Sequence, residues 1–290
     1  MTVTGPTGLA VLLPFVLVSF AANSLITRHV VDEDLLDAGL LTAVRFLAGA
    51  AALLVLAAAR RDRTRPGRGN LLPALWLGLY AAFISYGYIH IGAAPGTFVF
   101  YAAVLLTLVA VDRFTVGEVP PRRLAGAGVA LVGIGLLASA SVDTVTPLGV
   151  LLLAATGTAW GLYTAAGRGA QDPLTFSTGN FAVLGLALLL PAGAGFAADL
   201  TVTGPGLVWG VVMGAGTTAF AYVAWYACQR ALTASQAGLV QLVIPVLTTA
   251  GAVALLDEPL TARLMVAAVL VGLGMWLGSA VPARPAATAH

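Results

Sequence analysis

The sequence predicts an all-α integral membrane protein with ten transmembrane helices arranged as two inverted five-helix repeats. Three observations carry that expectation. Hydrophobic residues make up 59% of the chain and charged residues only 9%, against roughly 25% charged in an ordinary soluble domain. Apolar runs of the about 20 residues that a helix needs to cross a hydrocarbon core recur along the whole length. The third observation is internal: GEVPPRRLAGAGVALVGIGLLAS, from Gly117, returns near the C-terminus as DEPLTARLMVAAVLVGLGMWLGS, from Asp257. Glu118, Arg123 and Leu124 reappear as Glu258, Arg263 and Leu264, a shift of 140 that becomes 139 at the glycines of VALVGIG and AVLVGLG. A long-period repeat in a membrane chain points to a transporter built from two related halves.

The spans are placed in order at 8–27, 36–59, 71–91, 95–113, 122–141, 147–167, 174–197, 205–228, 235–256 and 261–281. Turn and charge signals separate them: DEDLLD after the first, RRDRTRPGRGN after the second, VPP before the fifth, QDP after the sixth and TGPG before the eighth. This divides the chain into repeats at 1–145 and 146–290. The 34 glycines suit close helix packing in lipid, where small residues let backbones approach. Residues 1–13 contain no Arg or Lys, so the first apolar segment reads as part of the repeat rather than as a secretory signal.

All fourteen basic residues are Arg. Alternate loops on one side hold Arg60, Arg61, Arg63, Arg65, Arg68, Arg113, Arg122, Arg123, Arg168, Arg230 and Arg284, and the other side only Arg28 and Arg263. Cytoplasmic loops are the Arg-rich ones, so both termini are expected in the cytoplasm and the Asp32 to Asp37 loop outside. Five spans per half, an odd number, then require the second half to insert upside down.

The duplication reaches the start of each half, where Phe20, Ser24 and Arg28 map onto Trp160, Thr164 and Arg168, and Tyr101 maps onto Gln241. With these residues in view the chain resembles the drug/metabolite transporter superfamily, and within it the EamA-type members. The resemblance runs through AWGLYTAAGRGAQDPL at 159–174, ASQAGLVQLVIPVL at 234–247, the DEPL turn and the final glycine-rich helix. It departs at Phe20, where the family tends to have Trp, and at Leu105, where the second half has Pro245. The resemblance implies ten spans in two inverted repeats and a substrate drawn from a range that includes amino acids, sugars and drugs.

Candidate substrate-binding residues follow from charge and periodicity. Arg45 sits about nine residues into span two, where a guanidinium costs about 2.5–3.5 kcal/mol on insertion scales. It is either a two-bond clamp for an anionic group such as a carboxylate, or an arginine that caps carbonyls of a neighbouring helix or reaches toward the external interface. Phe20 with Asn23, Tyr86 with His90, Thr97 with Tyr101, Trp160 with Tyr163, and Tyr222 with Trp225, Tyr226 and Gln229 recur at helical spacing. Such faces line a cavity for a flat or amphipathic molecule, or else pack helices together. Asn180 in span seven and Gln241 in span nine complete the set, and Pro245 is expected to free a carbonyl one turn earlier.

All twelve acids fall in loops or at span ends. Coupling to protons is therefore either absent, making the protein a facilitator, or runs through His90, a histidine that titrates near neutral pH. The expected function is a secondary transporter exporting or facilitating a small organic metabolite, an amino acid or amphipathic compound, across the cytoplasmic membrane. The expected partners are that substrate and the bilayer, with a homodimer compatible and nucleic acid excluded for want of a basic stripe. No phosphate loop, HExxH helix or Ser-His dyad is present, and the single Cys228 rules out a cysteine metal cluster. No catalytic residue, metal or cofactor is expected. A non-transporting scaffold or receptor, and an intramembrane enzyme, are the alternatives.

Overall fold

A chain in hydrocarbon has no water to satisfy its peptide groups and must pair them within the segment, so apolar Ala-, Leu- and Val-rich sequence of this kind becomes helix. The computed structural model describes residues 6–60, 71–87, 90–91, 93–139, 146–168, 170–192, 201–255 and 261–279. The helices are α1 (Pro6–Asp32), α2 (Ala38–Ala59), α3 (Leu71–Gly87), α4 (Ala93–Thr115), α5 (Pro121–Ala138), α6 (Pro147–Arg168) and α7 (Pro173–Ala192). They are followed by α8 (Gly204–Val212), a π-helical stretch (Met213–Phe220), α9 (Ala221–Gln229), α10 (Ala234–Gln241), α11 (Val243–Leu255) and α12 (Ala262–Ser279). Among the described residues the extended pairing is a single isolated bridge between Leu36 and Val202.

Among the described residues six stretches are long and apolar enough to cross a membrane: Gly8–Thr27, Gly39–Ala59, Phe98–Thr115, Pro147–Arg168, Gly204–Gln229 and Ala234–Leu255. Shorter apolar helices run over Leu71–Ile84, Pro173–Leu188 and Ala262–Gly278. The pattern of burial is that of a protein solvated by lipid. Large apolar side chains such as Phe15, Leu151 and Trp276 face outward, while Thr156, Ser177, Asn180 and Gln241 are wholly buried. The protein is an all-helical integral membrane protein.

Caps fix where the helices begin. Asp37 accepts from the N–H groups of Gly39 and Leu40 at 2.8 and 3.1 Å, satisfying donors left over at the start of α2. Thr203 accepts from Gly206 N–H and donates to the Leu35 carbonyl at 2.7 Å, which ties the starts of α8 and α2 together. Thr146 likewise accepts from Gly149 N–H and donates to the carbonyl of His90 at 2.6 Å. A reciprocal capping box between Thr233 and Gln236 opens α10. The break between α10 and α11 at Leu242 lies one turn before Pro245, which cannot donate to the Gln241 carbonyl; at the break the Leu242 N–H donates to the Leu239 carbonyl, three residues back, at 3.1 Å.

Helix packing brings distant segments together. α5 lies along α12, α3 and α4 lie on α6, α2 packs on α7 and the π-helical stretch, α1 packs on α9 and α11, and α10 packs on α4. On the α5–α12 seam Gly126 sits against Gly274 and Gly278, and Gly133 against Ala267 and Leu270, so the two helices run antiparallel. The approach is reciprocal. A Cβ on Gly126 would collide with the Gly274 carbonyl oxygen, and one on Gly274 would lie 2.5 Å from the Gly126 carbonyl oxygen. By contrast Gly157 meets Phe100 and Val104 while Gly161 meets Thr107, so α4 and α6 run parallel.

Candidate functional site

Aromatic rings fill the middle of the bundle, and they come from helices far apart in sequence. Trp160 on α6 stands at the hub, with ring centroids 5.7 Å from Phe20 of α1, 5.1 Å from Tyr80 of α3 and 5.2 Å from Tyr222 of α9. Phe20 also meets Tyr222 at 5.6 Å and Trp225 at 6.1 Å, edge to face in both cases. Tyr163, one turn along α6, stacks on Phe176 and meets Tyr226. On the far side Tyr222 contacts Phe181 of α7, which in turn contacts Phe46 of α2. The T-shaped and tilted geometries are those the ring quadrupole favours.

Polar groups in this centre are paired where the rings carry N–H. The Trp160 indole donates to Gln241 Oε1 at 2.6 Å, and the Gln241 amide nitrogen donates to its own helix at the Ala237 carbonyl, 3.0 Å away. With the Gln229 amide in the orientation its neighbours require, its oxygen accepts from the Trp225 indole at 2.7 Å and its nitrogen donates to the Thr164 carbonyl at 3.0 Å. Arg45 differs. It is 8% exposed, its guanidinium carbon is 4.5 Å from the Phe46 ring centre, and its Nε and Nη2 have no hydrogen-bond partner among the described residues.

The structure therefore gathers Arg45, Trp160, Tyr163, Tyr222, Trp225 and Gln241 into one buried region. Tyr101 is buried at its border, with its ring 4.6 Å from that of Phe100, which in turn touches Tyr80. Asn180 is fully buried on α7, near Tyr163. Asn23 has a different employment. Its Nδ2 donates to the Thr217 carbonyl at 3.0 Å, and its Oδ1 accepts from the hydroxyls of Thr217 and Thr218 at 2.7 and 3.2 Å, so both ends of the amide hold the π-helical stretch. Tyr86 is 63% exposed on the outer face of α3, and His90 lies beyond that helix, which ends at Gly87. The two do not share a helix face, because the chain leaves α-helix between them. His90 sits at the end of the bundle, with its carbonyl on Thr146. The side chain of Thr97 lies outside the described residues.

Sequence reasoning passed over Tyr80, Phe46, Phe176 and Phe181 as members of the centre. Tyr80 lies about a third of a turn round α3 from the exposed Tyr86, on a face turned inward. It also missed a buried ionic cluster at one end of the bundle. Asp112, near the end of α4 and 2% exposed, accepts from the N–H groups of Ala234 and Ser235 at 3.0 and 2.7 Å and so caps α10. Arg168 approaches it at 3.5 Å and Arg123 at 3.9 Å. Arg123 also donates to the hydroxyls of Thr233 and Ser235, and Arg168 to the Leu232 carbonyl. The ends of α4 and α6 and the starts of α5 and α10 meet here. The acid reads as peripheral in sequence because its partners are spread over three other segments, 11 to 123 residues away.

The fold is that of a multi-pass helical membrane protein with aromatic rings packed at its centre. Comparison with known proteins makes this specific. Residues 147–280 match the EamA-like transporter family. An uncharacterised protein of Pseudomonas aeruginosa is 38% identical over 265 residues, covering 90% of this chain and 91% of that one. An uncharacterised transporter of Archaeoglobus fulgidus is 26% identical over 208 residues, covering 69% and 73% respectively. A protein of known crystal structure shares the fold with a TM-score of 0.78 at 21% identity, over 95% of this chain and 98% of its own. The chain belongs to the EamA-like transporter family.

Proposed function

We propose that the protein is a secondary transporter that exports a small organic molecule, or lets it run down its gradient, across the cytoplasmic membrane. The route has ten crossings in two inverted five-helix repeats, residues 1–145 and 146–290, with both termini in the cytoplasm. Exchange of the halves supports the repeat. It turns the α4–α6 contact into the contact of α11 with α1, turns α3–α6 into α9–α1, and leaves α2–α7 and α5–α12 unchanged; all of these contacts occur. The antiparallel α5–α12 seam has the sense that inversion demands. The end where Asp112, Arg123 and Arg168 meet belongs to the Arg-rich side, which supports the orientation.

The observation that carries the reading is the ring cluster around Trp160. It draws on both halves, with Phe20 and Tyr80 from one and Trp160, Tyr222 and Gln241 from the other. Substrate sites in inverted-repeat carriers lie between the halves near mid-bilayer, and ring faces suit an amphipathic solute. Flux of labelled aromatic and aliphatic metabolites into proteoliposomes tests it, with and without an imposed pH gradient. Trp160→Ala is expected to slow wild-type flux while leaving the amount of reconstituted protein unchanged. A wild-type protein that moves no solute above empty liposomes would overturn the transport reading.

A further inference from the structure

We infer that Arg45 is the recognition point for a carboxylate on the transported molecule, so that the substrate class is an organic monoanion with an apolar, flat body. This rests on the transport reading above and narrows it. The nitrogens of Arg45 that lack partners among the described residues are Nε and Nη2. These are not any two of the three. They share one edge of the guanidinium, where the Nε–H and one Nη2–H run parallel, and that edge matches the two oxygens of a carboxylate in a bidentate pair. The group is one of the buried charged side chains of the protein, and its position is eight residues, about 12 Å, along α2 from the Asp37 cap.

A buried guanidinium edge without acceptors is an uncompensated demand, since buried charges are ordinarily paired and hydrogen-bonded. Two other arginines show the contrast: Arg123, buried, and Arg168, partly buried, both face Asp112. The surroundings of Arg45 are rings instead. Phe46 lies under its charge, Phe181 lies against Phe46, and Tyr222 lies against Phe181. From Tyr222 the rings of Phe20 and Trp160 continue the apolar surface. One planar two-donor edge at the head of a ring-lined region matches a carboxylate better than a phosphate, whose further oxygens would be left without donors beside the rings.

The test uses matched pairs, arylalkyl and straight-chain carboxylates of about six to twelve carbons, each with its own primary amide. Binding to the detergent-solubilised full chain is read from tryptophan fluorescence. In wild type at least one carboxylate is expected to bind at least about tenfold more tightly than its amide, the order of advantage a charge-assisted pair gives. In Arg45→Gln the carboxylate is expected to lose that advantage while the amide binds as before. Because the wild-type comparison varies only the ligand, the inference is tested even if the variant does not fold. Amides that bind wild type as well as their acids do would overturn the carboxylate assignment and leave the ring-lined site standing. Failure of every pair to bind would overturn it too, and flux of neutral and cationic solutes would then judge the transport reading separately.

Discussion

The indole N–H of Trp160 reaches Gln241 across 81 residues of sequence, at 2.6 Å, with both side chains buried. Gln241→Leu removes the acceptor and strands the indole N–H among rings. Loss of a buried interhelical bond of this kind costs about 1–2 kcal/mol. The expected result is a lower melting temperature in detergent for Gln241→Leu, partly restored when Trp160→Phe is added, because the second change removes the stranded donor. A double variant less stable than the sum of the two singles would refute this account.

Asp112 compensates two arginines and caps a helix at once. Taking one member from a buried ion cluster leaves uncompensated charge and costs about 3–5 kcal/mol. Asp112→Ala is therefore expected to unfold at markedly lower denaturant or to express poorly. Asp112→Asn, whose amide oxygen still accepts from the start of α10, is expected to lose less. Thermal unfolding of the two variants side by side checks the order.

Asp172, between α6 and α7, supplies a pH dependence. Burial alone would raise its pKa, but hydrogen bonds from the Thr175 hydroxyl and from the N–H groups of Thr175 and Leu174, together with the Arg60 charge, outweigh that and hold the carboxyl below its usual value. A depressed folded-state pKa contributes stability above the unfolded-state value and loses it as pH falls through the folded-state value. Backbone exchange at the start of α7 is expected to quicken as pH is lowered into that acid window, after correction for intrinsic exchange. Asp172→Asn should remove the acid dependence, and a profile identical to wild type would exclude Asp172 as its source.

The α5–α12 seam admits no side chain at Gly126 or Gly274. Overpacking usually costs about 1–3 kcal/mol, and here the obstacle is backbone rather than a movable side chain. Gly274→Leu is expected to destabilise strongly, whereas Gly128→Ala, with nothing near its Cβ position, is expected to leave the melting temperature within about a degree, as surface substitutions do.

For topology, the eleven-to-two division of Arg predicts that a phosphatase fused after His290 is inactive in cells and that one placed in the Asp32 to Asp37 loop is active. An active C-terminal fusion would reverse the orientation.

Helix positions were legible because composition alone nearly decides them in lipid. The span expected at 147–167 is α6, Pro147–Arg168, and the one expected at 122–141 is α5, Pro121–Ala138. The Pro245 break was legible too, since a missing N–H acts at a fixed distance along the chain. Which aromatic residues meet was legible only where helical spacing put them on an inward face, as with Trp160 and Tyr163. Tyr86 obeyed the same spacing rule and faces outward, because periodicity names a face without saying what that face meets. The Asp112 cluster depends on four chain segments converging, and no local pattern announces it. The π-helical stretch left no sequence signal either, for Met213–Phe220 reads MGAGTTAF, small residues with no apolar period.

That stretch has a consequence for how the centre is aimed. A π-helix bonds each residue to the one five away rather than four, so the chain advances through fewer turns than an α-helix of equal length. Everything after Phe220 is rotated relative to the face that an unbroken helix from Gly204 would present. Tyr222 and Trp225 owe their bearing toward Phe20 to this phase lag. Asn23, by holding the Thr217 carbonyl and both neighbouring hydroxyls, sets the phase from across the bundle. Winding the eight residues back to α-helix would turn those rings away from Trp160 without bending a helix or sliding the α5–α12 seam. The segment thus sets the rotational phase of α9 within a single rod, and with it the bearing of one wall of the centre.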